Sequence, residues 1–436
     1  QKVWTLDECI DYAMQHSAAV MKSRVAADNA RQDRGAAVGG FMPSLSASVG
    51  TQFSWGRNVD PETNTYNTIT TFSNGYSAGG SITLFDGMQI WNEFRKAQVA
   101  VRQSDNALVQ AREEKAIEVM EKYVDVVYND AATTLAKQKL DDSRSLLAKT
   151  RRMEELGEKS YPDVAQLEAQ VADDEYSLEH QRTAAEKSMV ELKRTMGMIE
   201  IDTIIVDSNL TLRSQELEAG LGLGERRRIG AEFGVALARL DYKIACGKLM
   251  PTLSIGGGVN TSYYKNLSAG VAGTSFSQQI KDNLGEYVYA SLSIPLFNFP
   301  AYKRAKKARN NIALAEIEFD ETLLNVNSDY RQAVIDRDGY IKEVALMERK
   351  VASDSIAHHL NTRKYEEGML STFDLHTSAQ TLLESRIKQL QMQMLLVIKQ
   401  RLVDYYQGKN LILTYETAES PLDPMDVEHE IEKMCR

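Results

Sequence analysis

Pro43-Ser44-Leu45-Ser46-Ala47-Ser48-Val49-Gly50-Thr51-Gln52-Phe53-Ser54-Trp55 decides the fold. The proline biases the residue before it away from the helical region, so the helix written ahead of it stops there. Beyond it the chain alternates with period two. Leu45, Ala47, Val49, Thr51, Phe53 and Trp55 fall on one face, and Ser44, Ser46, Ser48, Gly50, Gln52 and Ser54 on the other. Further along, Tyr76, Ala78, Ile82 and Leu84 oppose Ser77, Gly79, Ser81 and Thr83, and Leu253, Ile255 and Val259 oppose Ser254, Gly256, Gly258 and Asn260. Val288, Ala290, Leu292, Ile294 and Leu296 oppose Tyr287, Tyr289, Ser291 and Ser293. A half-buried sheet in a water-soluble domain also alternates. Here the polar faces carry almost no charge, and Trp55, Tyr76, Tyr263 and Tyr287 gather near the loop ends, as aromatics do at a membrane interface. Four strands cannot close a barrel, because the smallest single-chain barrels need about eight. Open edges are not tolerated in hydrocarbon, so strands of this kind must share a barrel with sister chains.

The chain is written twice. Phe41-Met42-Pro43-Ser44-Leu45-Ser46 returns as Leu249-Met250-Pro251-Thr252-Leu253-Ser254, and Ser81-Ile82-Thr83-Leu84-Phe85-Asp86 as Ser293-Ile294-Pro295-Leu296-Phe297-Asn298. Gly157, Ser160, Asp163 and Val164 return as Gly368, Ser371, Asp374 and Leu375, in the same order and at nearly the same offset. The first copy, within 1–208, reads helix 7–40, strand 43–56, loop 57–74, strand 75–86, helix 88–157, turn 158–162 and helix 163–197. The second, within 209–408, reads helix 216–249, strand 251–264, loop 265–284, strand 285–297, helix 301–367, turn 368–372 and helix 373–408. A joining segment near 198–215, rich in isoleucine, is expected to add a short strand, and 409–436 is an acidic C-terminal extension.

No proline occurs between Phe85 and Ser160, which permits an uninterrupted helix about 105 Å long at 1.5 Å per residue. Ile117, Met120, Val124, Val127 and Ala131 form one apolar stripe along it, and Val119, Tyr123 and Val126 a second beside it. Phe319, Leu323, Val326, Tyr330 and Ala333 repeat the design. Two stripes per helix suit a wall in which each helix has two neighbours. A soluble coiled-coil scaffold or adaptor without a pore would also explain the helices, but it leaves the four strands without a role.

Composition removes several classes of function. The net charge of -10 offers no basic surface for nucleic acid. No run of about 18 apolar residues exists, so no transmembrane helix is expected. Cys9, Cys246 and Cys435 have no disulfide or metal spacing, and Cys9 shares a helical face with Leu6, Ile10 and Ala13 as a core residue. The adjacent His358 and His359 point about 100° apart on a helix and cannot share a metal. No zinc-protease, P-loop, dinucleotide or nucleophile-elbow signature appears, and Gly256-Gly257-Gly258 lies mid-strand, where it serves close packing. No enzymatic activity, cofactor or metal is expected.

Thr5-Leu6-Asp7-Glu8-Cys9-Ile10, Leu84-Phe85-Asp86-Gly87 and Tyr365-Glu366-Glu367-Gly368-Met369-Leu370-Ser371-Thr372-Phe373-Asp374-Leu375, with Ala379-Gln380 following, resemble the TolC family of outer-membrane efflux ducts over about residues 5–410. The resemblance implies an α+β membrane protein. Long antiparallel helical hairpins would form an α-barrel across the periplasm, and four strands per protomer would enter a shared trimeric 12-stranded β-barrel in the outer membrane. It implies a passive channel of a tripartite efflux or secretion system, partnered by sister protomers, outer-membrane lipid, a periplasmic adaptor and an inner-membrane pump. Asp374, Tyr365 and Asp163 would then belong to a periplasmic gate, with Asp374 in a threefold carboxylate ring. Gly157, Ser160, Gly368, Met369, Leu370 and Ser371 would form the tips that meet the adaptor. Leu370 stands where some relatives carry a basic residue and Thr377 where they carry a second acidic one. That weakens the expected salt-bridge lock in favour of packing by Met369, Leu370 and Phe373. Independently of family, Ser160–Asp163 and Ser371–Asp374 have the spacing of helix N-terminal caps, which gives both aspartates a local role.

Overall fold

The computed structural model describes residues 3–60, 64–198, 204–207, 222–268 and 274–408. The acidic extension at 409–436, and most of the joining segment, lie outside them. In chain order the elements are β1 (Val3–Trp4), α1 (Leu6–His16), α2 (Ala18–Gly39), β2 (Ser44–Asp60), β3 (Thr65–Phe85), α3 (Gln89–Glu155) and α4 (Tyr161–Met196). They continue with β4 (Ile205–Val206), α5 (Leu223–Gly247), β5 (Thr252–Asn266), α6 (Phe276–Asp282), β6 (Gly285–Ser293), α7 (Phe299–Glu366) and α8 (Thr372–Tyr406). The order strand, strand, long helix, helix thus occurs twice. Contacts group the described residues into two units. One holds those up to Ala27, Ser104–Ala231 and those from Phe319 on, and the other holds Asp28–Gln103 and Glu232–Glu318.

The second unit is built on an antiparallel sheet of order β2-β3-β5-β6. Its register keeps the two faces separate. Val49 stands opposite Tyr76, and Tyr76 opposite Thr261, while Ser48 stands opposite Ser77, and Ser77 opposite Asn260. On the polar face the hydroxyls of Ser48 and Ser77 lie 2.7 Å apart. The apolar face is bare: Leu45 is 84% and Val288 85% exposed.

Three expectations change here. Residues 57–74 are not a loop; β2 and β3 stay paired out to Asp60 and Thr65. The run Thr65-Tyr66-Asn67-Thr68-Ile69-Thr70-Thr71-Phe72 is β-branched and aromatic, which favours a strand even without an apolar face. The region 265–284 contains α6. Tyr287 does not share the outward face with Trp55: it lies on the polar face, its hydroxyl 2.9 Å from where a Cβ on Gly258 would stand. Tyr289 covers Gly256 in the same way, at 2.6 Å. The glycine run therefore makes room for two tyrosine rings, which stack at 6.3 Å.

The strand-to-helix switch explains Leu84-Phe85-Asp86-Gly87. The Asp86 carboxylate accepts from the backbone N–H of Gln89 and of Ile90, each at 2.9 Å, and so caps α3. Asn298 does the same for α7, accepting from the Ala301 N–H at 3.1 Å. Gly87 has φ +72°, and a Cβ there would stand 2.4 Å from the Gly247 carbonyl oxygen. Only glycine fits.

In the first unit the stripes of α3 meet different neighbours. Val119, Tyr123, Val126 and Val127 pack with Cys9, Ile10, Ala13 and Met14 of α1 and with Leu192 and Met196 of α4. Met120 and Val124 pack against Ile398 of α8. The capping box at Thr5 starts α1: Glu8 N–H donates to the Thr5 hydroxyl, and the Glu8 carboxylate accepts from Thr5 N–H. The expected helix 7–40 is broken at Ser17, whose backbone is extended. The cause is tertiary. The left-handed Gly197 that ends α4 comes so close that a Cβ on it would lie 2.6 Å from the His16 carbonyl oxygen. The joining segment does supply a strand, with Val3 and Trp4 paired in parallel to Ile205 and Val206. Nearby, buried Glu113 of α3 pairs with Arg226 of α5 at 2.9 Å and accepts from the Tyr405 hydroxyl of α8. Burial pushes the Glu113 carboxyl above its ordinary range, against the pull of Arg226 and Tyr405.

Candidate functional site

The residues singled out at the ends of the long helices come together as two copies of one turn. Gly157 (φ +77°) and Gly368 (φ +73°) end α3 and α7 in the left-handed conformation. In each, the following N–H reaches back five residues: Glu158 to the Met153 carbonyl and Met369 to the Lys364 carbonyl, both at 2.8 Å. This is the Schellman closure, which satisfies carbonyls that a helix end leaves open. Ser160 and Ser371 then start α4 and α8.

Both aspartates cap. The Asp163 carboxylate accepts from the Ser160 N–H at 3.1 Å and from its hydroxyl at 2.6 Å. The Asp374 carboxylate accepts from the Ser371 hydroxyl at 2.6 Å, and the Asp374 N–H donates to that same hydroxyl at 3.1 Å. The Ser160 hydrogen bonds hold the Asp163 carboxyl below its usual range. A depressed carboxylate stabilises the fold above its unfolded-state pKa, and that contribution is lost as pH falls through the folded value. The first turn of α4 is therefore expected to fray under acid. Amide hydrogen exchange at 160–165 should quicken as pH drops below about 4, beyond the intrinsic change, and Asp163→Asn should abolish that extra dependence.

Tyr365 lies just inside the tip, only 2% exposed. Its hydroxyl lies 2.9 Å from that of buried Thr150 on α3, and Lys159 stands 4.5 Å from the ring centre. Thr372 reaches Asp163 at a long 3.5 Å, and Lys149 pairs with Glu366 at 3.0 Å. The two turns are thus tied to each other, not only to their own helices. Thr150 and Lys159 carry no sequence signal, since neither a lone threonine deep in a helix nor a lysine in a turn announces its partner. Within one chain Met369 and Phe373 remain 66% and 62% exposed, and the packing at this end is done by Leu375, Val164 and Leu167.

A second buried cluster lies further along the same hairpins. Lys139 of α3 pairs with Asp174 of α4 at 2.9 Å and also donates to Gln380 of α8. Asp174 accepts from Gln170 at 2.8 Å and from the Ser143 hydroxyl. No helix of the described residues is long and apolar enough to cross a membrane.

The family model described as outer membrane efflux protein matches residues 9–198, the greater part of the first copy. Over that stretch the chain is similar to the family of outer membrane efflux proteins. Solved structures share the fold. The Campylobacter jejuni CmeC outer membrane channel aligns at 14% identity over 99% of this chain and 89% of that one, with a TM-score of 0.80. The outer membrane protein VceC from Vibrio cholerae aligns at 14% identity over 93% and 96%, with a TM-score of 0.79. The open state of the Neisseria gonorrhoeae MtrE outer membrane channel aligns at 16% identity over 92% and 88%, with a TM-score of 0.73. No curated protein matches the sequence.

Proposed function

We propose that this chain is one of three protomers of a passive outer-membrane channel, which receives its cargo from an inner-membrane pump through a periplasmic adaptor. One observation carries the reading. The four-stranded sheet ends in β2 on one side and β6 on the other, with no strand against either outer edge among the described residues. Its apolar face is exposed as well. A sheet with open edges and a bare apolar face is complete only when sister sheets continue it and lipid covers it. The helices support the same reading, since Leu324, Ile335, Leu346 and Ile356 of α7 are each more than 60% exposed. Sister helices would cover them.

In this arrangement the two hairpin turns form the periplasmic end, with Gly157, Ser160, Gly368, Met369, Leu370 and Ser371 facing the adaptor. Asp374, supported by Tyr365 and Asp163, forms the gate. Three carboxylates converging on an axis attract multivalent cations. The purified protein should therefore give uniform conductance steps in planar bilayers, blocked by a trivalent cation from the periplasmic side. Asp374→Ala should relieve most of that block. Absence of conductance steps would refute the channel, and unchanged block in Asp374→Ala would refute the ring.

A further inference from the structure

β6 pairs with β5 only as far as Asn260 and Gly285, yet β5 continues to Asn266. Among the described residues, no strand runs along that edge of β5 beyond Asn260, at the loop end of the sheet. Helix α6 takes the place of the missing strand. The Gln279 amide accepts from Tyr264 N–H at 2.9 Å and donates to Tyr264 carbonyl at 3.0 Å, reproducing the two-bond contact of a paired strand residue. Asn283 donates to the Ser262 carbonyl at 2.7 Å, and the Thr261 hydroxyl donates to the Ile280 carbonyl at 2.7 Å.

The helix leans on the outward face. Phe276 lies 5.1 Å from the ring of Tyr263 and 6.4 Å from that of Tyr76, and both tyrosines share the face of Val49 and Thr51. Phe276 and Ile280 lie one turn apart on α6 and Leu284 follows just beyond its end, before β6; Phe276 and Leu284 remain 49% and 57% exposed. Exposed Lys265 and Lys281 flank these residues. From Leu253 to Tyr263 the strand climbs about 25 Å across a bilayer at a tilt near 40°, which is about the height of the apolar band of such barrels.

We propose that α6 is an interfacial clasp, seated in the boundary between headgroups and acyl chains of the outer leaflet. There it closes the open edge of β5 and presents Phe276 to lipid, with Leu284 of the link to β6 beside it. The inference rests on the reading that this face of the sheet meets lipid. Its occupant follows from continuity: the apolar surface of α6 extends the face of Leu45, Val49 and Phe53, and its lysines suit the phosphates at that level.

Brominated phosphatidylcholine vesicles holding the whole protein test it. The fluorescence quenched in Phe276→Trp beyond that in the parent chain reports on position 276, and Leu284→Trp gives a second reading. Lipid brominated near the headgroup should quench the added tryptophan about twofold more than lipid brominated near the acyl terminus, with little effect of aqueous acrylamide. Quenching by acrylamide alone, or by none of the three, would overturn the clasp in favour of water or of a sister protomer at this site. The signal lost in Trp55→Phe reports separately on the strand face. If Trp55 is quenched by lipid and position 276 is not, only the clasp fails; if neither is, the underlying reading fails.

Discussion

Asp174→Ala is expected to destabilise the protein by about 3–5 kcal/mol, the cost of stranding a buried charge. Asp174 is 1% exposed, and its partner Lys139 only 11%. Removing the carboxylate leaves the ammonium with Gln380 alone and also orphans the Ser143 hydroxyl and Gln170 amide that donated to it. The cost is that of an uncompensated cation and not the net worth of the pair. A double replacement, Lys139→Met with Asp174→Leu, should therefore recover most of the loss. Denaturant unfolding of the detergent-solubilised protein, followed by circular dichroism, reads both. A single replacement costing less than about 1 kcal/mol would mean that the cluster is hydrated.

Val49→Arg should cost about 2–4 kcal/mol per copy if that residue lies near the bilayer midplane. In the proposed trimer the penalty is repeated three times, which is large enough to prevent assembly into vesicles. Gln52→Arg, on the same strand but the polar face, adds the same charge where water is at hand and should assemble normally. The contrast isolates the environment of the face from strand propensity, because both changes put arginine into β2. Equal assembly of the two variants would remove lipid from the outward face. The yield of protein folded into vesicles is the quantity to compare.

Much of this was legible in the sequence because two periodicities were strong. Period two located β2 and β5 to within a few residues, and the heptad-like stripes placed both long helices. The turns were legible too, since a glycine followed three residues later by a serine and then an aspartate spells helix end, cap and first turn. What escaped had physical reasons. The outer part of the β2–β3 hairpin has polar residues on both faces, so alternation gave no cue, although the threonine-rich run did. The break at Ser17 is imposed by Gly197, far away in sequence, with no proline or glycine at the break itself. At seven residues α6 is too short for its period to stand out. Tyr365–Thr150 and Lys139–Asp174 are pairs made by the packing of helices, and neither partner announces the other. Tyr287 was read for its position near a loop, while its place in the alternation already put it on the polar face.

Spin labels placed one at a time along residues 44–55 of β2, in the protein reconstituted into vesicles, test the central claim most directly. Collision with oxygen reports lipid, and collision with a water-soluble nickel chelate reports water. Odd-numbered positions should favour oxygen and even-numbered ones nickel, in unbroken alternation. Equal access to nickel at Val49 and Gln52, or no alternation at all, would contradict a strand with hydrocarbon on one side and a water-filled passage on the other.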